Sequence, residues 1–481
     1  MRFTSSIFIA LTTLLYTTNG ARSCKDDLTV ETPGGTVHGF IDSSTPSPAL
    51  PFGNLTTTSL GPACMQYLST LPNIYINETT QFNPGGGTTL SADLISEDCL
   101  TLSIWAPRTP KTTPPLPVII FLYGGAFTTN GVNIPYSLPP HWIQRTQSHL
   151  VVSFNHRDNI FGYPNAAGLI PQQQNVGLLD IRQAIEWVHA NIALFGGDPD
   201  RIGLWGQSSG GSAIGYYTYQ HTSDPLVSSA IMDSGNEFID ILTRDPEHRN
   251  FTFVAEHLGC GDLPSDRELD CMRAVPASAI NDFLHGYYDS GASPITTFSP
   301  VVDNHTVFEN YTLLAQEEHL FPLPALIGSN ANDGIAFVPY NPSPSAADLA
   351  LADNMTSVWF FCPTYLAAKT RLASYPGTPV YRYLYSGNFT DVSPKGWMGA
   401  YHGAELPMVF GTWDGEGGKG EENKVLERAT SEVMQDIWVR FVESAGRETG
   451  VEGWDAGKVA EFGRDVPARV VDAREMEEAC S

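Results

Sequence analysis

Ser208 lies in the segment Gly206-Gln207-Ser208-Ser209-Gly210, between an apolar run at 201–205 and small residues at 211–214. Glycines two positions to either side of a serine permit a strained turn from a strand into a helix. Such a turn exposes the serine hydroxyl above the sheet, and the free N–H groups at the helix start face the place where an oxyanion would form. The segment therefore predicts a nucleophilic serine at position 208.

A serine hydroxyl is a weak nucleophile unless a base takes its proton and a carboxylate orients that base. Asp333 and His402 are the candidates, in the chain order serine, acid, histidine that such turns use. Asp333 lies in the loop 328–334 after a predicted strand, and His402 lies in the glycine-flanked loop 399–405. Alone, an aspartate here is a turn former and the histidine a surface residue. Their positions after strands, in the required order, favour catalysis.

The segment 122–127 follows a predicted strand and contains Gly124 and Gly125. Glycines at this position let the backbone approach a substrate carbonyl, so that main-chain N–H groups can stabilise an oxyanion from a second loop. On these residues alone, an ordinary turn from a strand into a helix is an equal alternative.

The apolar pattern indicates the elements that carry these loops. Short β-branched runs predict buried parallel strands at 118–123, 150–154, 202–205, 230–232, 323–327 and 380–385. Apolar residues three and four apart predict a helix from Leu178 to Phe195, which ends at a Gly-then-Pro terminator. This alternation predicts an α/β fold with a mostly parallel central sheet and helices on both faces. Residues 41–95 are interpreted as an antiparallel edge or a surface loop, and 411–481 as amphipathic helices on one flank.

The N-terminus predicts secretion. Arg2 precedes an apolar stretch at 7–16, which indicates a signal peptide over 1–20. The sequence has no internal repeat and no clear linker, so a single domain with insertions is predicted over 21–481. No other segment reaches ~18 consecutive apolar residues, so no stable membrane anchoring is expected. Seven glycosylation sequons fit an extracellular protein; they begin at Asn54, Asn77, Asn250, Asn304, Asn310, Asn354 and Asn388.

Charge and cysteine content restrict the partners. The net charge of −26 argues against a nucleic-acid partner, because phosphate binding requires clustered Lys and Arg. The seven cysteines are expected to form disulfides in an oxidising compartment, and the odd number leaves one over. No cofactor and no metal is predicted, and the expected partner is a small-molecule ester substrate.

With these segments the chain resembles the type-B carboxylesterase/lipase family, which includes cholinesterases, and it is most similar to the secreted fungal members. The matching segments cover roughly residues 96 to 480; they are 96–102, 123–127, 155–157, 177–180, 196–199, the serine turn, 328–334 and 401–405. The resemblance implies an α/β-hydrolase fold with a triad of Ser208, Asp333 and His402. It implies oxyanion donors at Gly125, Ala126 and Ser209.

The resemblance also implies structural pairs. The implied disulfides are Cys64–Cys99, Cys260–Cys271 and Cys362–Cys480, which leave Cys24 unpaired. Arg157 and Asp180 match a buried ion pair of the family, which is expected to cost ~3–5 kcal/mol to break from one side.

The chain departs from the family at several positions. Ala126 replaces a third glycine, Gln207 replaces the usual Glu, and Asp333 stands where Glu is more common. None of these changes removes a catalytic group. The region near 41–63 is abbreviated and has no arginine to pair with Glu97, which would reduce stability if Glu97 were buried.

The function predicted from these residues is hydrolysis of carboxylic esters through an acyl-enzyme. His402 acts as base only when neutral, so the rate should fall on acidification. Neutral acyl or aryl esters are favoured, because Gln207 is uncharged and 64–99 contains no tryptophan to stack on an ammonium group. Two alternatives remain: a catalytically silent binding or adhesion protein on the same fold, and an inactive truncated esterase.

Overall fold

A ten-stranded sheet organises the part of the chain that the computed structural model describes. The described residues are 29–32, 35–38, 49–52, 60–79, 95–107, 114–413, 421–455, 457–477 and 480. The predicted signal peptide 1–20, Cys24 and Asn54 lie outside them. Of the predicted abbreviated region 41–63, only 49–52 and 60–63 are described.

The strands of the described residues are listed in chain order. They are β1 (Thr29–Thr32), β2 (Gly35–His38), β3 (Ala49–Phe52), β4 (Ala63–Cys64), β5 (Ile95–Ser96), β6 (Leu102–Pro107), β7 (Leu116–Leu122), β8 (Leu150–Phe154), β9 (Gly197–Gln207), β10 (Ser229–Asp233), β11 (Ala325–Asn330), β12 (Val380–Tyr385), β13 (Lys458–Phe462) and β14 (Ala468–Asp472). The main sheet has the order β14-β13-β12-β11-β10-β9-β7-β8-β6-β3. It is parallel from β13 to β8 and antiparallel at both edges, whereas β1–β2 and β4–β5 are separate two-stranded pairs.

Helices connect these strands. They are α1 (Ile74–Asn77), α2 (Pro140–Thr146), α3 (Asn159–Gly162), α4 (Val176–Asn191), α5 (Ser209–Gln220), α6 (Arg249–His257), α7 (Ser265–Met272), α8 (Ala277–Asp289), α9 (Tyr311–Gln316), α10 (Ala346–Met355), α11 (Cys362–Ser374), α12 (Leu406–Phe410), α13 (Glu421–Glu443) and α14 (Arg474–Glu477). A π-helical turn over Thr356–Phe361 joins α10 to α11. No helix in the described ranges is both long and apolar enough to cross a membrane.

The α/β fold class is confirmed, and alternation along β7 shows how both faces of the sheet are covered. Val118, Ile120 and Leu122 belong to one buried cluster, which also contains residues of α4 and α5. Ile119 and Phe121 belong to a second cluster, which contains residues of α12 and α13. Because successive side chains of a strand point to opposite faces, a strand buried on both sides is apolar throughout.

All six predicted strands correspond to observed strands of the sheet. The bounds of β8 and β12 equal the predicted bounds, whereas β9 is longer and β11 begins and ends later. The predicted helix 178–195 corresponds to α4 followed by a 3-10 turn over Ile192–Phe195. It ends at Gly196, which has a positive φ of 87°.

The two regions of irregular composition differ in outcome. The described part of 41–95 includes β3, which pairs antiparallel with β6 at the sheet edge, as one of the two interpretations expected. The interpretation of 411–481 as helices is correct for α13 but wrong for 458–472, which forms β13 and β14. These strands are short, and β13 pairs with β12 whereas β14 pairs with β13, so pairing with a neighbouring strand rather than composition decides their structure.

The six described cysteines form three disulfides, which join Cys64–Cys99, Cys260–Cys271 and Cys362–Cys480. The first closes the loop that carries α1 over the site described below. The third links the start of α11 to the end of the described chain, across a sequence separation of 118 residues.

Candidate active site

Ser208 stands at the turn between β9 and α5. Its φ of 55° and ψ of −125° lie in a region that non-glycine residues rarely adopt. A Cβ on Gly206 would lie 2.4 Å from the backbone of Gly210, and one on Gly210 would lie 2.2 Å from the carbonyl oxygen of Leu122. Both glycines are therefore required by close backbone approaches.

His402 and Asp333 meet at the carboxyl ends of the parallel strands. The Nδ1 atom of His402 lies 2.7 Å from Oδ1 of Asp333, and both side chains are buried. The other oxygen, Oδ2, accepts hydrogen bonds from the Ser234 hydroxyl at 3.0 Å and from the Asn330 N–H at 2.8 Å. With three donors around it, Asp333 is fixed as an acceptor, and the proton of the neutral imidazole is directed to Nδ1.

The Nε2 atom of His402 faces the Ser208 turn. It lies 3.3 Å from the side-chain nitrogen of Gln207, whose amide can donate to it when the imidazole proton is on Nδ1. The rings of Phe337 and Phe360 pack against the imidazole, with centroid distances of 5.0 and 4.8 Å. The Tyr75 hydroxyl donates to the His402 carbonyl oxygen at 2.8 Å and holds the loop backbone.

The hydroxyl of Ser208 makes no hydrogen bond with a described residue, and it lines the same cavity as His402. In this arrangement the Gln207 amide contacts Nε2 of His402, the nitrogen that would accept the proton of a nucleophile. Catalytic hydrogen bonds of free enzymes are often long and tighten only when substrate is bound.

The donor loop adopts the conformation that a close approach requires. Gly125 has a φ of 121°, and Ala126 and the following Phe127 have φ values of 56° and 60°. The N–H groups of Gly125, Ala126 and Ser209 donate to no described residue. Three main-chain donors are therefore available beside the serine, and the methyl group of Ala126 does not remove its N–H.

The serine and the histidine open into a cavity of about 670 Å³. Its lining combines aromatic and aliphatic side chains with hydroxyl-bearing and amide side chains, and includes Tyr67, Tyr288, Phe298 and Thr297. Among the described residues, no Asp, Glu, Lys or Arg side chain lines this cavity. The described residues contain no group of three or more His, Cys, Asp or Glu that could hold a metal ion.

The implied Arg157–Asp180 pair forms, with Nε–Oδ2 and Nη2–Oδ1 distances of 2.7 and 2.6 Å. The expectation that it is buried is only half right, because the arginine side chain is 39% exposed whereas the aspartate is 9% exposed. Both residues line a second cavity of about 630 Å³, and an exposed charge is screened by solvent, so the cost of breaking the pair is smaller than expected for a buried one. Glu97 lines that cavity and is exposed, so the loss of stability expected from its burial does not arise.

Three functional neighbours were missed from the sequence: Ser234, Asn330 and Tyr75. Ser234 directly follows β10, and Asn330 ends β11. The rule that selected Asp333, a polar residue at the carboxyl end of a parallel strand, would also have selected these two. Tyr75 lies in the loop closed by Cys64–Cys99 and carried no such signal.

The fold and this site define the class of protein. Residues 44–348 and 342–459 match the carboxylesterase family. The chain belongs to this family of α/β-hydrolases and is a carboxylic ester hydrolase.

Similarity to individual proteins extends over most of the chain. It is 40% identical over 425 residues to secreted lipase 5 of Gibberella zeae, a match covering 83% of this chain and 77% of that protein. It is 41% identical over 412 residues to a chlorogenic acid esterase of Aspergillus niger, covering 85% and 77%. Acetylcholinesterase of Electrophorus electricus is 29% identical over 282 residues, covering 58% of this chain and 43% of that enzyme. The resemblance to secreted fungal esterases and lipases, with cholinesterases more distant, is confirmed.

Proposed function

We propose that Ser208, His402 and Asp333 form the catalytic triad of a secreted esterase that prefers neutral acyl or aryl esters. The observation that carries this proposal is the contact between His402 Nδ1 and Asp333 Oδ1 at 2.7 Å, beside the cavity that Ser208 lines. Secretion is supported by the three disulfides and by the name of the lipase relative.

The reaction begins when an ester enters the cavity and displaces the Gln207 amide from His402 Nε2. Ser208 Oγ then attacks the carbonyl carbon while Nε2 takes the hydroxyl proton. Asp333, still ionised, stabilises the resulting imidazolium. The N–H groups of Gly125, Ala126 and Ser209 donate to the oxyanion of the tetrahedral intermediate.

Collapse of the intermediate breaks the bond to the alcohol, which leaves with the proton from His402, and an acyl-Ser208 ester remains. A water molecule repeats the sequence: His402 takes one proton from it, the hydroxide oxygen bonds to the acyl carbon, and Ser208 recovers the proton as the acid departs. No atom or charge enters from outside the ester and water.

The preference for neutral substrates rests on the lining of the cavity. A cationic substrate finds no carboxylate there, because position 207 is a glutamine and the described lining lacks Asp and Glu. Tyr67, Tyr288 and Phe298 provide aromatic surface, whereas Thr297 and its hydroxyl-bearing neighbours provide hydrogen-bond partners. This mixture favours a neutral ester with an aromatic acyl group and an alcohol that carries further hydroxyl groups.

Labelling of the purified protein with a fluorophosphonate probe tests the triad. We expect labelling of the wild type and none of Ser208→Ala. Ser212→Ala is the matched control, because Ser212 is a buried helix serine whose hydroxyl donates to the Asn236 carbonyl oxygen. A folded wild type that takes no label would refute the proposal and favour a silent binding protein.

Turnover of p-nitrophenyl and aryl acyl esters, compared with turnover of acylcholine, tests the preference for neutral esters. Better use of acylcholine would contradict this preference.

A further inference from the structure

Two buried carboxyl groups lie behind Asp333, and the reaction above does not use them. Asp233 ends β10 and Glu405 immediately precedes α12, and both are 0% exposed. Asp233 is attached to the site through the backbone, because its carbonyl oxygen accepts the Ser208 N–H at 2.8 Å. Glu405 is attached through Asn330, whose side-chain amide donates to its Oε2 atom.

The hydrogen bonds of these carboxyls are incomplete. Neither side-chain oxygen of Asp233 accepts a well-aligned hydrogen bond from a described residue, and neither does Oε1 of Glu405. The Tyr383 hydroxyl, the Trp205 indole N–H and the Glu405 carboxyl face Asp233. Ionised carboxylates are rarely buried with oxygens left unsatisfied, because the lost hydration is not replaced. A proton on one carboxyl would provide the donor that the other lacks.

The charges around the pair also favour a protonated carboxyl. No lysine or arginine is among the largest electrostatic influences on either carboxyl in the described part of the chain. The titratable groups that face the pair are Asp333 and His402 from the site, Tyr383 and Tyr385 from β12, Tyr75, Tyr136 and Tyr401, with Glu427 of α13 beyond Tyr385. Burial, together with the neighbouring carboxylates, raises the pKa of Asp233 to about 7 and that of Glu405 well above its usual range.

We propose that Asp233 and Glu405 share a retained proton and act together as positioning residues that limit the negative charge behind His402. The proposal rests on the proposed triad. Two fully ionised carboxylates behind Asp333 would add negative charge that favours the imidazolium over the neutral base. With the proton retained, the pair carries one negative charge instead of two, and Asp333 is the carboxylate in contact with His402. When the pH rises, the pair loses its proton and gains a second negative charge. This charge opposes the deprotonation of His402. The rate therefore rises with pH over a broader range.

The test is the double variant Asp233→Asn/Glu405→Gln, in which two neutral amides remove both the shared proton and the one negative charge of the pair. Infrared difference spectra against the wild type, at about pH 6, should contain the carbonyl stretch of a protonated carboxyl only in the wild type. The second measurement is kcat/KM for a neutral ester as a function of pH. Its acid limb, the rise of kcat/KM from low pH, should become steeper in the variant and move to lower pH by at least ~0.5 unit. Asp240→Asn, an exposed aspartate, is the control and should change neither measurement.

Absence of the protonated-carboxyl band from the wild type would overturn the proposal, and so would an acid limb that is unchanged in the double variant. If the double variant does not accumulate as folded protein, the infrared measurement is made on Asp233→Asn alone. A shared proton loses its second carboxyl in this variant, so the protonated-carboxyl band must change. A band identical to that of the wild type would refute a shared proton. The infrared result does not depend on turnover. Failure of this proposal is therefore distinguishable from failure of the triad, which the Ser208→Ala labelling reports.

Discussion

Replacing Gln207 with glutamate is expected to move the acid limb of the pH–rate profile to higher pH. The side chain at 207 is 5% exposed, and its amide nitrogen lies 3.3 Å from His402 Nε2. Glu is nearly isosteric with Gln, so a carboxylate oxygen can take the place of that nitrogen. A negative charge there stabilises the imidazolium, so His402 becomes available as a base only at higher pH.

The magnitude follows from the distance. Two unit charges at this separation attract by ~5 kcal/mol at an effective dielectric constant of about 20. Since ~1.4 kcal/mol corresponds to one pH unit, the upper limit is about three to four units. Desolvation of the new carboxylate opposes its ionisation and reduces this value. We therefore expect a displacement of about one to three units, and a fall in kcat/KM of at least about tenfold on the acid side of the wild-type limb.

The assay is kcat/KM for a neutral p-nitrophenyl ester as a function of pH, with Gln207→Met as the uncharged control. The methionine variant should keep the acid limb near its wild-type position. Acylcholine, measured in parallel, should gain in Gln207→Glu through a lower KM. If the glutamate variant leaves the limb unmoved, the proximity of position 207 to the base is wrong, and movement to lower pH would refute the sign of the argument.

Three further predictions concern stability, each measured by urea unfolding. Arg371→Met should lower the free energy of unfolding by about 3–5 kcal/mol, because it leaves the fully buried Glu237 without its ion-pair partner. Burial lowers the pKa of His149 from 6.5 to about 3. As the pH falls below 6.5 the unfolded chain binds the proton first, so stability is lost; His149→Gln should remove a loss of about 2 kcal/mol between pH 7 and pH 5. Removing Cys362–Cys480, which closes 118 residues, should cost about 5 kcal/mol.

Matched variants serve as controls. Arg244→Met breaks an exposed pair with Asp240 and should cost less than ~1 kcal/mol; an equal cost at both arginines would contradict the burial argument. The exposed His141, changed to Gln, should leave the pH dependence of stability unchanged. Removing Cys260–Cys271, which closes 11 residues, should cost about 3 kcal/mol, and a larger cost than for Cys362–Cys480 would count against loop entropy.

The local pattern of the sequence determined the strands and the order of the candidate site residues. The apolar runs that became β8 and β12 are bounded by polar and turn-forming residues, so their ends could be read directly. The helix α4 repeats its apolar residues at a helical period, and the 3-10 turn that follows it ends at a glycine. The serine turn requires glycines at fixed offsets, and the structure gives Ser208 the strained backbone that this spacing predicts. Each of these signals is complete within a few residues of chain.

Contacts between distant segments were decided only by the tertiary structure. The order of strands in the sheet brings the ends of β10 and β11 together, and this places Ser234 and Asn330 on Asp333 and Asp233 beside Glu405. Pairing with a neighbour, not composition, makes strands of β13 and β14. A composition or period describes one element at a time, whereas burial, hydrogen-bond partners and electrostatic environment depend on which elements become neighbours.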